Sequence, residues 1–343
     1  MNGLLIGCRN SIQRRVAAYN RFRDVQIIGV WDPDADAALS AADVLRSSPQ
    51  PFDTIAEMTD TLDVDFIDLA LPVRESTELI ERAAAKHISL IFDSASLADV
   101  NEARALQDVA SDARIRVAAL SPWRYYAHFR ALKKQISDGW IGQPLSIRHV
   151  CRPNKYRIDE TFLSNGSTLP LLKDGVRQRL DTVRFLFGEP DTIYCRARQI
   201  APESAGEDMV HITLGLPFGA TYTLDDSTVP HTEPETGGSP TLVIEGTDGA
   251  LVLRRELHHS IEFASLTGQP RPLSYVMPAE LAQDAFSFCL YSAIMNLNTD
   301  ANETSSIGDV IKTMQLVGAA YESAASGQAV RLERDDDDSI LVE

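Results

Sequence analysis

The amino-acid sequence predicts two domains: a doubly wound parallel α/β sheet, followed by an α+β domain with a largely antiparallel sheet. Short apolar runs alternate with helical patterns over the first third of the chain, which is typical of a parallel sheet covered by helices. Further along, strand patterns follow one another with tight turns between them, which is typical of antiparallel pairing. The length of 343 residues, at about 150 per domain, also indicates two domains.

The first domain is predicted over residues 1–120, where runs of strand length alternate with helical patterns. Its strands are predicted at 4–7, 25–31, 66–71, 89–92 and 115–119, and its helices at 11–22, 34–45, 75–86 and 97–109. This alternation of strand and helix predicts parallel strands with helices on both faces of the sheet.

The second domain is predicted over residues 121–330, and residues 331–343 are predicted to be a solvated acidic tail because four aspartates stand in a row at 335–338. The strands of the second domain are predicted at 145–151, 192–199, 209–216, 220–224, 242–245, 250–253 and 260–264, and its helices at 129–137, 169–187, 281–297 and 305–325. Strands in direct succession predict a largely antiparallel sheet, and the domain is therefore α+β.

Charge and cysteine content exclude several classes of function. The chain has 49 acidic and 32 basic residues, and its net charge of -17 disfavours nucleic acids and anionic membrane surfaces as partners. No apolar run reaches the length of about 18 residues that a membrane-spanning helix needs. The four cysteines lie far apart without CxxC spacing, so we expect no metal site and no disulfide framework, and we predict a cytoplasmic protein.

Six short motifs point to one enzyme family. They are Asp32-Pro33-Asp34, Pro72, GWIGQPL at 139–145, FGEP at 187–190, IEGTDG at 244–249 and AYESAASG at 320–327. In these motifs the chain resembles the Gfo/Idh/MocA-type oxidoreductases, the superfamily of glucose-fructose oxidoreductase and inositol dehydrogenase, over nearly its full length. The resemblance implies a Rossmann-type domain that binds NAD or NADP, joined to a sheet domain whose cleft holds a sugar, cyclitol or similar polyol.

The resemblance assigns cofactor binding to Gly7, Arg9, Asp32 and Pro72. A dinucleotide fingerprint reads GxGxxG, but the three glycine positions here hold Gly7, Arg9 and Ile12, and Arg9 puts a long side chain where phosphate would lie. Two interpretations stay open, altered cofactor binding or a strand-to-helix turn without a ligand. Asp32 favours NAD over NADP, because a carboxylate accepts hydrogen bonds from ribose hydroxyls and disfavours a 2′-phosphate. A further hypothesis pairs Arg9 with Asp32, which would close the adenosine pocket.

One catalytic motif of the family is altered. In the EKP motif the family's lysine donates or relays a proton during hydride transfer, and this motif aligns with Asp93, Ser94 and Ala95. A serine hydroxyl is a poor acid near neutral pH and carries no charge that would stabilise an alkoxide. The alternative interpretation is that Asp93 and Ser94 cap the helix predicted to start near Leu97.

A second catalytic motif, DxGxHxxD, aligns with Asp174, Val176, Gln178 and Asp181. The family's histidine is replaced by Gln178, which can position a hydroxyl by hydrogen bonding but cannot exchange a proton at useful pH. Helical spacing puts Gln178 and Asp181 on one polar stripe with Arg184. This stripe either lines a cleft or is a solvated face with ion pairs such as Asp181 with Arg184.

Three residues are the expected substrate contacts. Arg124 and Tyr126 match the family's segment that enters the second domain, where a cation and an aromatic ring lie near the substrate. Asp181 is the last acidic residue of the altered DxGxHxxD motif.

Three hypotheses for function follow from these residues. A catalytically silent homologue would bind a nucleotide or a sugar-like ligand, and a structural subunit would pair with an active paralogue. The alternative is an atypical NAD(P)-dependent dehydrogenase of a sugar, cyclitol or related polyol with a rebuilt acid–base set. We also expect a homo-oligomer, a dimer or tetramer, because a sheet with one uncovered face would expose a large apolar patch.

Overall fold

The computed structural model describes residues 1–9, 12–151, 170–173, 175–202, 204, 206–228, 240–255, 259–266, 268–269, 271–273, 285–297 and 305–332. The chain divides into two compact units. The first comprises Met1–Tyr125 with Pro278–Met314, and the second comprises Tyr126–Met277 with Gln315–Glu343.

The elements of the described residues are as follows in chain order. The strands are β1 (Asn2–Ile6), β2 (Gln26–Trp31), β3 (Gln50–Pro51), β4 (Phe66–Leu69), β5 (Ser89–Asp93), β6 (Val117–Leu120), β7 (Pro144–Cys151), β8 (Thr192–Arg198), β9 (Met209–Gly215), β10 (Thr221–Ser227), β11 (Pro240–Gly246), β12 (Gly249–Arg255), β13 (His259–Ser265), β14 (Arg271–Leu273), β15 (Ser305–Ser306) and β16 (Val330–Arg331). The helices are α1 (Ile12–Tyr19), α2 (Ala35–Val44), α3 (Ile55–Thr61), α4 (Thr77–Ala85), α5 (Val100–Ala113), α6 (Ala127–Ser137), α7 (Gly175–Phe187), α8 (Ala285–Asn296) and α9 (Ile307–Ser326).

The sheet of the first unit has the doubly wound arrangement that the sequence predicts. Its parallel strands lie in the order β3-β2-β1-β4-β5-β6, which is the strand order of dinucleotide-binding folds. The short strand β15 adds an antiparallel edge beside β6. In this arrangement the loops that follow the parallel strands gather at one edge of the sheet, which is where such folds bind their ligands.

Both faces of this sheet are buried. Leu4 and Ile6 lie in one hydrophobic cluster, and Leu5 between them lies in a second cluster on the opposite face. Successive side chains of a strand point to opposite faces, so a strand covered on both sides needs a continuous apolar run. This explains why residues 4–6 of β1 are all apolar rather than alternating with polar residues.

The first unit differs from the predicted domain of residues 1–120, because it also contains a segment from late in the chain. Helix α8 packs on α1, with Phe286 and Leu290 in the same buried cluster as Leu5 and Ala18. The apolar pattern of 281–297 predicts a helix, but a local pattern does not say which sheet the helix covers. Of the predicted tail, Arg331 lies in β16, which pairs with β8, and residues 333–343 lie outside the described part.

The sheet of the second unit is largely antiparallel, which confirms the predicted fold class. Its strand order is β14-β13-β12-β11-β7-β10-β9-β8-β16, and among the described strands only β7 and β10 pair in parallel. One face is apolar and buried, with Ile193, Ile212 and Leu224 nearly inaccessible to solvent. Buried and more exposed residues alternate along β8, β9 and most of β10, as expected for a sheet that is covered on one side.

The open face of the second sheet is polar on β8, β9 and β10. Its exposed side chains there are Arg196, Arg198, His211, Thr213, Thr221 and Thr223. The expected large apolar patch is therefore wrong for these three strands, because the outward positions hold charged and hydroxyl residues. The dimer or tetramer stays a prediction, and the polar open face of these three strands does not support it.

Candidate functional site

The carboxyl edge of the first sheet begins with a tight turn at Gly7. Gly7 has a φ of +90°, and a Cβ atom on it would lie 2.9 Å from Leu71 Cγ and 3.0 Å from the carbonyl carbon of Ala70. A residue with a side chain would be strained in this conformation and would collide with the loop after β4. The first glycine of the fingerprint is therefore required by the backbone itself.

Asp32 lies at the end of β2 in a nearly closed environment, with a relative exposure of 5%. Its carboxylate accepts hydrogen bonds from the Cys8 N–H at 2.6 Å and from the Asp34 N–H at 2.8 Å. These bonds join the loop after β1 to the loop after β2, which is where a dinucleotide's adenosine ribose would bind.

Arg9 pairs with both acidic side chains of this loop. Its Nε lies 3.7 Å from Asp32 Oδ1, as the sequence predicts, and its Nη2 contacts the Asp34 carboxylate, which the prediction missed. The hydrogen bond from Arg9 lowers the pKa of Asp34, whose side chain also caps α2 by accepting from the Asp36 N–H. The Arg9 side chain is 64% exposed, so it can leave Asp32 without disturbing packing.

These residues fit an adenosine ribose. Each oxygen of the Asp32 carboxylate has a second lone pair beyond the backbone N–H that it accepts, so a ribose hydroxyl can be bound once Arg9 turns away. Pro72, the fourth predicted cofactor position, precedes a 3₁₀ turn at Val73–Glu75, and its carbonyl accepts from the Glu75 N–H at 3.0 Å. Pro72 therefore shapes the loop after β4.

A buried ionic network lies behind this edge. Arg15 of α1 has no exposed surface and donates to both oxygens of Asp68, with Nε–Oδ2 2.9 Å and Nη2–Oδ1 3.0 Å. Its Nη1 donates to Asp93 Oδ2 at 3.1 Å, and the Tyr19 hydroxyl donates to Asp68 at 2.9 Å. Burial raises the pKa of Tyr19, and burial together with Asp32 raises the pKa of Cys8 to about 12. Both therefore stay protonated at neutral pH.

The capping interpretation of Asp93 and Ser94 is wrong. Helix α5 begins at Val100, and its cap is Asp99, which accepts from the backbone N–H groups of Asn101 and Glu102. Asp93 precedes a 3₁₀ turn at Ser94–Ser96 and makes no side-chain capping bond. Its carboxylate is instead bound by Arg15, a partner that the local sequence of the loop does not indicate.

Arg124 and Tyr126 have different surroundings. Arg124 is buried in the first unit, where its Nη2 lies 3.3 Å from Asp309 Oδ1 in the first turn of α9. Tyr126 precedes α6 in the second unit, and its ring stacks on His128 with the centroids 5.4 Å apart. Arg124 thus has a structural ion pair, in addition to the predicted role as a substrate contact.

Helix α7 carries the remaining predicted positions, except Asp174, which lies outside the described residues. Gln178 is half-buried, and its backbone carbonyl accepts from the Thr182 hydroxyl at 2.9 Å. Asp181 is buried, and its Oδ1 lies 3.6 Å from Nη1 of Arg184. Arg184 is buried as well and donates to both carboxylate oxygens of Glu189. A solvated face is therefore wrong for Asp181 and Arg184, although the predicted pair exists.

The sequence reasoning missed Arg15 and Asp68. The sequence feature that could have identified this pair is the aspartate within the apolar run FIDL of β4, in which every residue is buried. A carboxylate at such a position needs a cation or several donors, and the sequence does not say which residue supplies them.

The described residues contain neither a membrane-spanning helix nor a cluster of metal ligands. None of the helices there is both long enough and apolar enough to cross a bilayer. The same residues bring no three His, Cys, Asp or Glu side chains together in a way that would hold a metal ion.

Comparison with known families matches both units. A family described as an oxidoreductase family with an NAD-binding Rossmann fold matches residues 1–120, and the GFO/IDH/MocA C-terminal domain matches residues 129–252. Curated relatives include the D-apiose dehydrogenase of Rhizobium rhizogenes (strain K84 / ATCC BAA-868), 26% identical over 96% of this chain and 97% of that protein. They also include the inositol 2-dehydrogenase of Rhizobium meliloti (strain 1021), 24% identical over 90% of this chain and 92% of that protein.

Solved structures show the same fold. An oxidoreductase from Agrobacterium radiobacter in complex with NAD+, L-tartaric acid and magnesium superposes with a TM-score of 0.80 at 26% identity, covering 96% of this chain and 98% of that one. A putative myo-inositol dehydrogenase from Sinorhizobium meliloti 1021 superposes with a TM-score of 0.76 at 22% identity, covering 97% and 100%. With its NAD-binding Rossmann domain followed by the family's C-terminal domain, this chain belongs to the Gfo/Idh/MocA oxidoreductase family.

Proposed function

We propose that this chain binds NAD and a sugar- or polyol-like ligand but lacks the proton-transfer chemistry of its family. One observation carries the proposal. At the position that the resemblance gives to the catalytic lysine, the chain has Ser94, and the preceding Asp93 is bound to the buried Arg15. In the second unit Gln178 takes the position of the family's histidine.

The chemistry of these residues supports a silent site. A serine hydroxyl and an amide do not exchange protons near neutral pH, and general acid–base help contributes about 10²–10⁴-fold to rate in enzymes that use it. Asp93 is a poor substitute, because its carboxylate is already engaged by a buried cation. The Nη1 atom of Arg15 lies 3.1 Å from Oδ2 of Asp93.

The cofactor part of the proposal rests on the loops after β1 and β2. The turn at Gly7 and the carboxylate of Asp32 fit an adenosine ribose, and the negative charge of Asp32 favours NAD over NADP. Relatives that bear the names of D-apiose and inositol dehydrogenases support a sugar- or polyol-like ligand. Four cysteines without disulfide bonds support a reducing compartment such as the cytoplasm.

The second candidate function is an atypical NAD-dependent dehydrogenase of a sugar or polyol. Similarity to D-apiose dehydrogenase over 96% of the chain favours it, since whole-length similarity extends to both units. This candidate requires a replacement for the lysine and the histidine, which the described residues do not identify.

Two measurements separate these functions. NADH fluorescence titration is expected to show binding, which Asp32→Asn weakens by at least about tenfold because a charged acceptor is lost. The control is Asp63→Asn, an exposed carboxylate at the opposite edge of the same sheet. Turnover with NAD and a panel containing D-apiose and myo-inositol is expected to be absent. Turnover would establish the dehydrogenase, and a lack of NADH binding would overturn the proposal in favour of a structural subunit.

A further inference from the structure

A buried polar cluster in the second unit surrounds the thiol of Cys151. Cys151 is the last residue of β7, and His149 lies two residues earlier on the same face. The parallel neighbour β10 pairs Asp226 with Cys151 and supplies Tyr222 to the same face, and α7 supplies Arg179. His149, Tyr222, Arg179 and Asp226 are buried, and Cys151 is half-buried.

The hydrogen bonds of this cluster determine where the imidazole proton lies. Tyr222 is fully buried, and its hydroxyl lies 2.9 Å from Nδ1 of His149. Burial raises the pKa of Tyr222, so the hydroxyl keeps its hydrogen and donates it to Nδ1, the acceptor it reaches among the described residues. Burial, with a smaller effect of Arg179, lowers the pKa of His149 to about 3, so the ring is neutral at pH 7. Its single proton is therefore on Nε2.

Two N–H donors consequently point at one sulfur atom. Nε2 of His149 lies 3.2 Å from Cys151 Sγ, and Nε of Arg179 lies 2.9 Å from the same atom. The other edge of the guanidinium faces Asp226, with Nη1 at 3.0 Å from Oδ2. A cysteine beside an arginine guanidinium is stabilised in its thiolate form, and a sulfur that accepts two N–H bonds suits an anion. In the described part of the chain His149, Tyr222, Arg179 and Asp226 surround the sulfur, and of these four groups Asp226 opposes the thiolate.

We propose that Cys151 is a modification site, held as a thiolate at neutral pH, that reacts with peroxides. The thiolate sulfur attacks one peroxide oxygen, so an S–O bond forms and the O–O bond breaks. Hydroxide leaves with the electron pair and takes a proton from solvent. The sulfur is oxidised to a sulfenic acid while the peroxide is reduced to water. This reaction needs neither NAD nor turnover, so it is independent of the proposed function.

The other three cysteines are internal controls. Cys8, Cys195 and Cys289 are all buried. Burial, followed by Asp32 for Cys8 and by Glu207 for Cys195, raises the pKa of each of these two thiols to about 12. Neither forms a thiolate near neutral pH, so reaction at them reports unfolding rather than a built site.

The test is the pH profile of alkylation in the native full-length chain. Iodoacetamide labelling is followed for each cysteine by peptide mass spectrometry between about pH 6 and about pH 9, and hydrogen peroxide followed by dimedone reports the sulfenic acid. We expect labelling at Cys151 that is nearly independent of pH above about pH 7, with the three buried cysteines unlabelled. A rate that rises about tenfold per pH unit up to about pH 8.5, as for an ordinary thiol, would overturn the proposal. So would the absence of labelling at Cys151.

Two variants test whether Arg179 stabilises the thiolate of Cys151. Arg179→Gln is expected to move the midpoint of the Cys151 profile upward by at least about one pH unit, because it removes the cation. Arg196→Gln, on the open face of β8, is the matched control and should leave the profile unchanged. An unchanged midpoint in a folded Arg179→Gln protein would contradict the assigned role of Arg179. If that variant does not fold, the wild-type profile alone decides the proposal.

Discussion

Arg15 in the first unit and Arg179 in the second are both buried, and the two arginines have different partners. Arg15 in the first unit contacts the carboxylates of Asp68 and Asp93. Arg179 in the second unit contacts one carboxylate, that of Asp226, and uses its Nε on the sulfur of Cys151. Both lie on helices packed against a sheet, so the difference lies in the partners rather than in burial.

The two networks show that the role of a buried guanidinium depends on the chemistry of the group that it contacts. Arg15 donates to two carboxylates, so this network organises the edge of the sheet without adding a reactive group. At Arg179 one of the two partners is a thiol, whose ionised form is a nucleophile. The second arginine, unlike the first, is therefore expected to activate a nucleophile, the sulfur of Cys151.

The largest expected effect is the loss of the first network. Arg15→Met leaves Asp68 buried without its cation, and we expect the free energy of unfolding of the first unit to fall by about 3–5 kcal/mol. Urea denaturation measures it. Arg14→Met, an exposed arginine on the same helix, is the control and should change stability by no more than about 0.5 kcal/mol. Equal stability of the two variants would show that Asp68 is not dependent on Arg15.

A smaller effect is expected from the neutral imidazole of His149 in the second network. The pKa of His149 lies near 3 in the folded chain against 6.5 unfolded, so the unfolded state binds more protons between these values and stability falls as the pH falls through them. Between about pH 7 and about pH 5 this residue is expected to cost about 2 kcal/mol. His149→Gln should remove that part of the acid sensitivity in urea titrations at the two pH values.

The control for this pH dependence is His211→Gln, since the side chain of His211 is 52% exposed. It should keep the acid sensitivity of the wild type. If His149→Gln also keeps it, the imidazole is not neutral in the folded state and the proton assignment at Cys151 fails.

The smallest expected effect concerns an arginine that is paired but exposed. Arg9→Gly removes the side chain over Asp32 and restores the second fingerprint glycine. Exposed ion pairs contribute at most about 1 kcal/mol, so NADH should bind up to about fivefold more tightly in a fluorescence titration. The control Arg23→Gly, an exposed position just before β2, should leave the affinity for NADH unchanged. Weaker NADH binding in Arg9→Gly would mean that Arg9 contacts the cofactor.

The sequence predicts the fold well because strand and helix periodicity are local properties. The alternation of elements before residue 120 is sufficient for a parallel sheet, and the strands of the second unit follow their patterns closely. The position of α8 on the first unit was not predictable, since packing of Phe286 against α1 is a contact between residues far apart in the chain. Family membership was predictable from short motifs in the right order.

The candidate site was predictable only in part. Arg9 and Asp32 follow adjacent strand ends, so their pairing follows from topology, and the structure contains it. Asp93 was misread as a helix cap because its true partner, Arg15, lies 78 residues away. Partners of buried charges come from tertiary packing, which local patterns do not encode.

The proposal of a silent site is tested most directly by a single-turnover experiment. Stoichiometric protein and NAD are mixed with excess D-apiose or myo-inositol, and NADH formation is followed by absorbance. We expect stable NAD binding and no burst of NADH. A burst with a rate in the usual enzymatic range of about 1–10³ s⁻¹ would contradict the proposal and establish the chain as a dehydrogenase with a rebuilt proton relay.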